Sequence, residues 1–335
     1  MRPRGVLLLA VLPVLRVAAM ADEHVLLIRK IVRPELEVPS VVPAVRRALA
    51  TPSTCVPEGG VVLSVTNKHH VRLRPLQFER IRHRSCFMDR VVSVCYNNVS
   101  DAFGSCVRSA FVIPPSDFRR SNYANLIWAK WRIISDSLKA ATMAMWLDAD
   151  VLILRNPWAS LNLLGPPEST PQYDIRYQSD PPPNANAEAC GRPLPMCPTC
   201  SSVNGGQLLV RSKALARAIY QARPRNLSNA DQLDQDWVSA ILFNNSYAVS
   251  LVGKRRKQQL GSFSSCVLPN SFAAECWYSP SFRIRATSAG LVDSNSCDKA
   301  THHFNCVTHA RGKAAQMKDM LEKWTSACGN STAAE

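Results

Sequence analysis

Apolar residues in this chain gather into short runs set between polar stretches. Val61 to Thr66, Val91 to Tyr96 and Met143 to Leu147 are nearly continuous apolar runs of strand length, the pattern of strands buried on both faces. Gly59-Gly60 opens the first of them. The basic-rich segment His69 to Arg84 separates the first two and is predicted helical. From Asn122 to Ala140, Ile127, Trp131, Ile134 and Leu138 recur at spacings of four, three and four, which lines one face of a helix feeding the strand at Met143. Strand, helix, strand in this order predicts a parallel sheet with crossover helices.

Further along, Pro166 to Pro198 is rich in proline and polar residues and predicts a long loop with little regular structure. The strand pattern resumes at Val203 to Val210. Ser212 is placed to cap a helix running to Ala222, Asp231 to Leu242 predicts another, and Gly312 to Cys328 a last one with Met317, Leu321 and Trp324 on one side. The expected fold is therefore α/β, one domain over residues 59–328 with a Rossmann-like, mostly parallel central sheet flanked by helices. A Pro/Cys-rich insertion spans 166–200, residues 22–58 form a stem or irregular lead-in, and 329–335 a tail.

Composition adds an address. The 335 residues are 46% hydrophobic and 19% charged, an ordinary globular balance. Residues 1–21 read as a signal peptide or signal anchor: Arg2 and Arg4 lead, Gly5 to Leu15 are apolar, and Ala19-Met20-Ala21 offers a cleavage site. That run is short for a membrane span, although anchoring through it stays open. Twelve cysteines fit an oxidising compartment, and the sequons at Asn98, Asn226, Asn244 and Asn330 fit a lumenal one. These signals together predict the secretory pathway, in the Golgi or endoplasmic reticulum lumen or beyond. Cys197-x-x-Cys200, with Cys190 nearby, has no second pair to complete a zinc site and reads as a disulfide-stapled loop. The net charge of +15 is dispersed apart from Lys254 to Lys257, and no aromatic-interleaved basic motif appears. Nucleic acid is therefore not an expected partner.

The candidate chemistry lies at Trp146-Leu147-Asp148-Ala149-Asp150. Carboxylates two residues apart in extended chain point the same way, and these two end an apolar strand. Ligands in open parallel sheets bind at the carboxyl ends of strands. Two such carboxylates suit a hard divalent cation, Mn²⁺ or Mg²⁺, shared with the oxygens of a diphosphate.

An apolar strand ending Trp-Leu-Asp-Ala-Asp, an Asn-Gly strand at Asn204-Gly205, an Asp-Gln at a helix start and a late His303-Phe304-Asn305 followed by Lys313 together resemble the nucleotide-diphospho-sugar transferase domain of glycosyltransferase family 77. The resemblance spans roughly residues 59–325. It implies the GT-A fold of plant and algal cell-wall glycosyltransferases and a retaining, metal-dependent transfer. By that resemblance Asp150 binds the metal directly, while Asp148 shares it or touches the ribose. Lys130 would face the donor, and Asn204 with Gly205 would bind it. The family favours a small hydroxyl residue between Asn and Gly, so either Gly205 or Gly206 could supply the close backbone approach. Asp234 and Gln235 would be the catalytic pair, preferred over Asp231-Gln232 because Trp237, Val238, Ile241 and Leu242 follow as a packed face. His303 or His309 would complete the metal shell and Lys313 would neutralise the leaving diphosphate. Thr308 departs from the pattern, which usually has Gly.

The expected reaction moves a hexosyl or pentosyl group from a UDP- or GDP-type sugar to a hydroxyl of a glycan or glycoprotein. Two rivals are a galactosyl- or glucosyltransferase of a neighbouring GT-A family and a non-catalytic lumenal glycan-binding protein on the same scaffold. A metal phosphoesterase would need a second set of metal ligands, which the sequence does not offer.

Overall fold

The computed structural model describes residues 38–97, 99, 103–109, 121–165, 172–179, 203–223, 234–243, 263–268, 272–274, 297, 299–304 and 310–328. The first helix, α1 (Val42–Ala50), lies within the segment expected to be an irregular lead-in. Val41, Ala44, Val45 and Ala48 recur at helical spacing and are buried. A carboxylate distant in sequence closes the helix entry: Asp136 Oδ2 accepts from the Val41 amide at 2.9 Å and from Ser40 Oγ at 3.0 Å.

The strands β1 (Gly60–Thr66), β2 (Val91–Cys95) and β3 (Ser105–Arg108) are parallel neighbours. Between the first two, the predicted helix is broken into a 3₁₀ turn at Val71–Leu73 and two short helices, α2 (Arg74–Phe78) and α3 (Ser85–Met88). Pro75 sits at the start of α2, where its missing N–H costs nothing, and so it restarts the helix instead of extending the turn before it. Helix α4 (Ser121–Ser137) then leads to β4 (Met143–Leu147), parallel to β1. A reversal follows into β5 (Val151–Ile153) and the short α5 (Pro157–Ser160), with Asn156 capping the latter through the Trp158 amide.

Beyond it, β6 (Ile175–Ser179) falls inside the stretch expected to lack regular structure. Ile175 and Tyr177 alternate into the core, a signal masked by the prolines on either side. The remaining elements are β7 (Val203–Val210), α6 (Lys213–Ala222), α7 (Asp234–Phe243), β8 (Ser265–Val267), β9 (Phe272–Ala274), β10 (Thr301–His303) and α8 (Ala310–Cys328). Ser212 caps α6, its Oγ accepting from the Leu215 amide at 3.1 Å.

The main sheet has seven strands in the order β3-β2-β1-β4-β7-β6-β8, and a second has three, β5-β10-β9. In the main sheet only β7 runs antiparallel to its neighbours, β4 and β6. The expected α/β class with a mostly parallel sheet and flanking helices is thus what the chain forms. On one sheet face Val62, Met143, Met145 and Leu147 pack with Phe78, Phe87 and Trp158. A smaller core joins Leu152, Leu154 and Phe304 to Met317, Met320 and Trp324 of α8. Disulfides Cys55–Cys86, Cys95–Cys106 and Cys297–Cys328 staple these parts. No helix among the described residues is long and apolar enough to cross a membrane. The leader, the sequons and Cys190, Cys197 and Cys200 lie outside those residues, as do Asp231 and His309.

Candidate active site

The acidic pair occupies the tight reversal between β4 and β5. Asp148 N–H donates to the Gly206 carbonyl at 2.9 Å, holding the end of β4 against β7, and Val151 N–H donates to the Asp148 carbonyl at 3.0 Å to close the turn. Because β5 then pairs antiparallel with β10 in the register Val151 to His303, a residue far along the chain arrives beside the turn. Phe304 N–H donates to the Asp150 carbonyl at 3.2 Å and fixes that register. His303 Nε2 lies 3.5 Å from Asp150 Oδ1, and its Nδ1 lies 3.1 Å from Gln178 Oε1 on β6. Asp148, Asp150 and His303 each offer a ligand atom, all within 4.8 Å of one another. Two carboxylate oxygens and an imidazole nitrogen at this separation form a donor set that fits a single divalent ion such as Mn²⁺.

Gly206 makes this approach possible. A methyl group placed on it would lie 2.5 Å from His303 Nε2 and 2.6 Å from Nδ1, closer than any real contact. At Gly205 the crowding atom is Lys130 Nζ, 2.5 Å from such a methyl. Both glycines of the Asn-Gly-Gly strand are therefore required by protein side chains that close over the backbone.

Charge is arranged unevenly across the pair. Burial would raise the Asp150 carboxyl, but the Lys313 ammonium bonded to its Oδ2, with His303 adding to it, holds it well below the usual carboxylate range. Burial pushes Asp148 the other way, above its ordinary value, with the negative charge of Asp150 reinforcing the shift against the opposing pull of Lys130. One Asp148 oxygen is already committed: Trp146 Nε1–H donates to Oδ1 at 2.6 Å. The half-buried His70, in the turn after β1, is pushed down to about 4 by burial, with the field of Asp150 opposing and that of Lys313 adding.

A second buried cluster adjoins the glycines. Lys130, 4% exposed, donates to the Gly205 carbonyl at 2.9 Å and pairs with Asp234 Oδ2 at 2.8 Å. Trp131 Nε1–H donates to the same Asp234 oxygen at 2.7 Å. Both Asp234 oxygens face Gly205, each 3.5 Å from where a methyl on that glycine would sit. Asn204 is fully buried; its Oδ1 accepts from Gly206 N–H at 2.9 Å, while its Nδ2 has no partner among the described residues. Gln235, half-buried, gives its backbone carbonyl to Ser239 Oγ.

The structure thus draws Asp148, Asp150, His303 and Lys313 into one cluster and Lys130, Asn204, Gly205 and Asp234 into an adjoining one. Sequence reasoning did not anticipate Trp146, Gln178 or His70. Trp146 was within reach, since it shares a strand face with Asp148 two residues later. Nothing local marks Gln178 or His70, which depend on β6 and the turn after β1 folding back on the site.

A family model described as nucleotide-diphospho-sugar transferase matches residues 90–317, well over half of the chain. No curated protein matches significantly by sequence. Among solved structures, a glycosyltransferase involved in the glycosylation of the major capsid of PBCV-1 is similar at 13% identity and TM-score 0.41, over 78% of this chain and 98% of its own. Mouse xyloside xylosyltransferase 1 is similar at 11% and 0.40, over 74% and 98%. Galactosyltransferase LgtC, in complex with donor and acceptor sugar analogs, is similar at 11% and 0.37, over 78% and 95%. These likenesses are too distant to transfer residue roles. With the family model spanning the acidic turn, both glycines, Asp234, His303 and Lys313, the chain belongs to the nucleotide-diphospho-sugar transferase family and is a glycosyltransferase.

Proposed function

We propose that this glycosyltransferase is metal-dependent and retaining, of the GT-A type found in family 77, and moves a hexose or pentose from a UDP- or GDP-sugar to a glycan or glycoprotein hydroxyl. The observation that carries the reading is the convergence of Asp148, Asp150 and His303 on one point with Lys313 at its edge. Mn²⁺ or Mg²⁺ held by these three would supply Lewis-acid stabilisation of the leaving diphosphate. Lys313 bears the second positive charge for that leaving group and is long enough to exchange Asp150 for a phosphate oxygen. Asp234 offers its carboxylate to the hydroxyls of the donor sugar, held in place by Lys130 and Trp131, which both contact its Oδ2. The Asn204 amide, without a partner among the described residues, is a donor kept for a ligand oxygen, because an unsatisfied buried N–H is otherwise costly. Three disulfides among the described residues support a place in the oxidising lumen of the secretory pathway, reached through the leader.

The test is a panel of UDP- and GDP-sugars assayed for nucleoside diphosphate release with and without EDTA. Release should need Mn²⁺ or Mg²⁺ and vanish in Asp150→Ala, which still folds and is secreted. Undiminished transfer by that variant would overturn the site.

A further inference from the structure

Arg74 is a large cationic side chain only 1% exposed, buried beneath the acidic turn and unused by the chemistry above. Its Nη1 donates to Ser64 Oγ on β1 at 3.1 Å and its Nη2 to Ser93 Oγ on β2 at 2.7 Å; those serines are paired across the two strands. The guanidinium also lies 4.6 Å over the Phe78 ring and donates from Nη1 to Gln77 Oε1. Gln77, fully buried, has its other amide end directed at the site: Nε2–H donates to the Asp148 carbonyl at 2.9 Å. A continuous set of hydrogen bonds therefore runs from the paired strands β1 and β2, through Arg74 and Gln77, to the peptide that joins Asp148 to Ala149.

That peptide sets where both carboxylates point. Its carbonyl is held by the Val151 amide within the turn and by Gln77 from outside it. The first bond closes the turn, and the second orients the turn as a whole against the sheet. A charged donor fixing the acceptor oxygen of Gln77 also fixes which end of the amide faces Asp148, so the N–H cannot flip away.

We infer that Gln77, oriented by Arg74, is a positioning residue for the Asp148–Asp150 turn and sets the affinity of the cation site. The inference rests on the metal reading proposed above. The probe is Mn²⁺ alone, titrated into the full chain and followed by the electron paramagnetic resonance of free Mn²⁺, which yields both the number of sites and their Kd. Gln77→Glu keeps an acceptor for Arg74 but cannot donate to Asp148, and Gln77→Met removes both bonds without adding charge. Both variants should raise the Mn²⁺ Kd about three- to tenfold, the scale of one lost hydrogen bond, while the folded protein keeps one site per chain. A merely structural role would lower the melting temperature and the fraction of competent protein but leave the Kd of the remainder unchanged. Variants whose sites keep the wild-type Kd within twofold overturn the inference and leave the metal site standing. A wild-type chain that binds no Mn²⁺ overturns the metal reading, and this inference with it.

Discussion

Gly206→Ala tests whether His303 belongs to the working site, because the substitution adds one methyl group and touches little else. The methyl would sit 2.5 Å from Nε2 and 2.6 Å from Nδ1 of the His303 ring, where ordinary contacts begin at 3.4 Å, so the ring must retreat by about an ångström. The ring has little room to yield. It is 3% exposed, and Gln178 holds it from one side. Metal ligands tolerate displacements of about 0.2 Å, so such a retreat removes His303 from the shell. Changes that merely disturb a ligand's orientation cost about 10–100-fold in affinity, and loss of the ligand should cost at least that. Overpacking adds a stability cost of about 1–3 kcal/mol, at about 2–4 °C of melting temperature for each kcal/mol.

The neighbouring glycine supplies the control. In Gly205→Ala the crowding atom is the tip of the flexible Lys130 side chain, which can withdraw from the Gly205 carbonyl. The expected result is weaker donor binding with near-normal Mn²⁺ affinity, whereas Gly206→Ala loses Mn²⁺ affinity first. Calorimetric titration with Mn²⁺, then with nucleoside diphosphate at saturating Mn²⁺, separates the two. A Gly206→Ala protein that binds Mn²⁺ within twofold of wild type would refute the assignment of His303.

Other consequences follow from the same geometry. Lys130→Met leaves the buried Asp234 carboxylate without its cation and should destabilise the fold by about 3–5 kcal/mol in chemical denaturation, with Lys130→Met/Asp234→Leu recovering most of the loss but no activity. His70 has a folded value of about 4 against 6.5 in the unfolded chain, so between those limits the unfolded state binds more protons and stability rises with pH. His70→Gln should remove about 1–3 kcal/mol of that dependence and make the variant relatively more stable than wild type near pH 4, as read from thermal melts across pH 4–7. Replacing Cys297 and Cys328 by Ser opens a loop closed at a separation of 31 residues and should cost about 3–4 kcal/mol in melting or denaturant curves.

The strands β1, β2 and β4 were legible because each is a largely apolar run buried on both faces, β7 through its apolar ends at Val203 and Leu208 to Val210, and the acidic turn because it ends such a run. Elements whose hydrophobic signal is short or depends on a distant partner were not. Helix α1 needs Asp136 on α4 to satisfy its entry, and β6 shows only Ile175 and Tyr177 between proline clusters. Within the site, residue types were readable where one segment carries the chemistry. What joins the segments was not: the register of β5 on β10 delivers His303 to Asp150, and no local pattern states it.

The serines of β1 and β2 show how far a closer reading could have gone. Ser64 and Ser93 each interrupt an apolar run, and a hydroxyl buried in a central strand needs a partner. Both lie in strands of one sheet flanking the basic segment from His69 to Arg84, so an arginine from that segment was a reasonable donor to seek. The sequence could not say which arginine, because that depends on Pro75 breaking the segment and turning Arg74 inward together with Gln77. A buried arginine beneath a turn proposed to hold a divalent cation would ordinarily oppose that cation by charge. Here its field is partly spent on two hydroxyls and an amide, and its effect reaches the site through the orientation of one peptide, so the fold can keep a cation under the turn and still present two carboxylates above it.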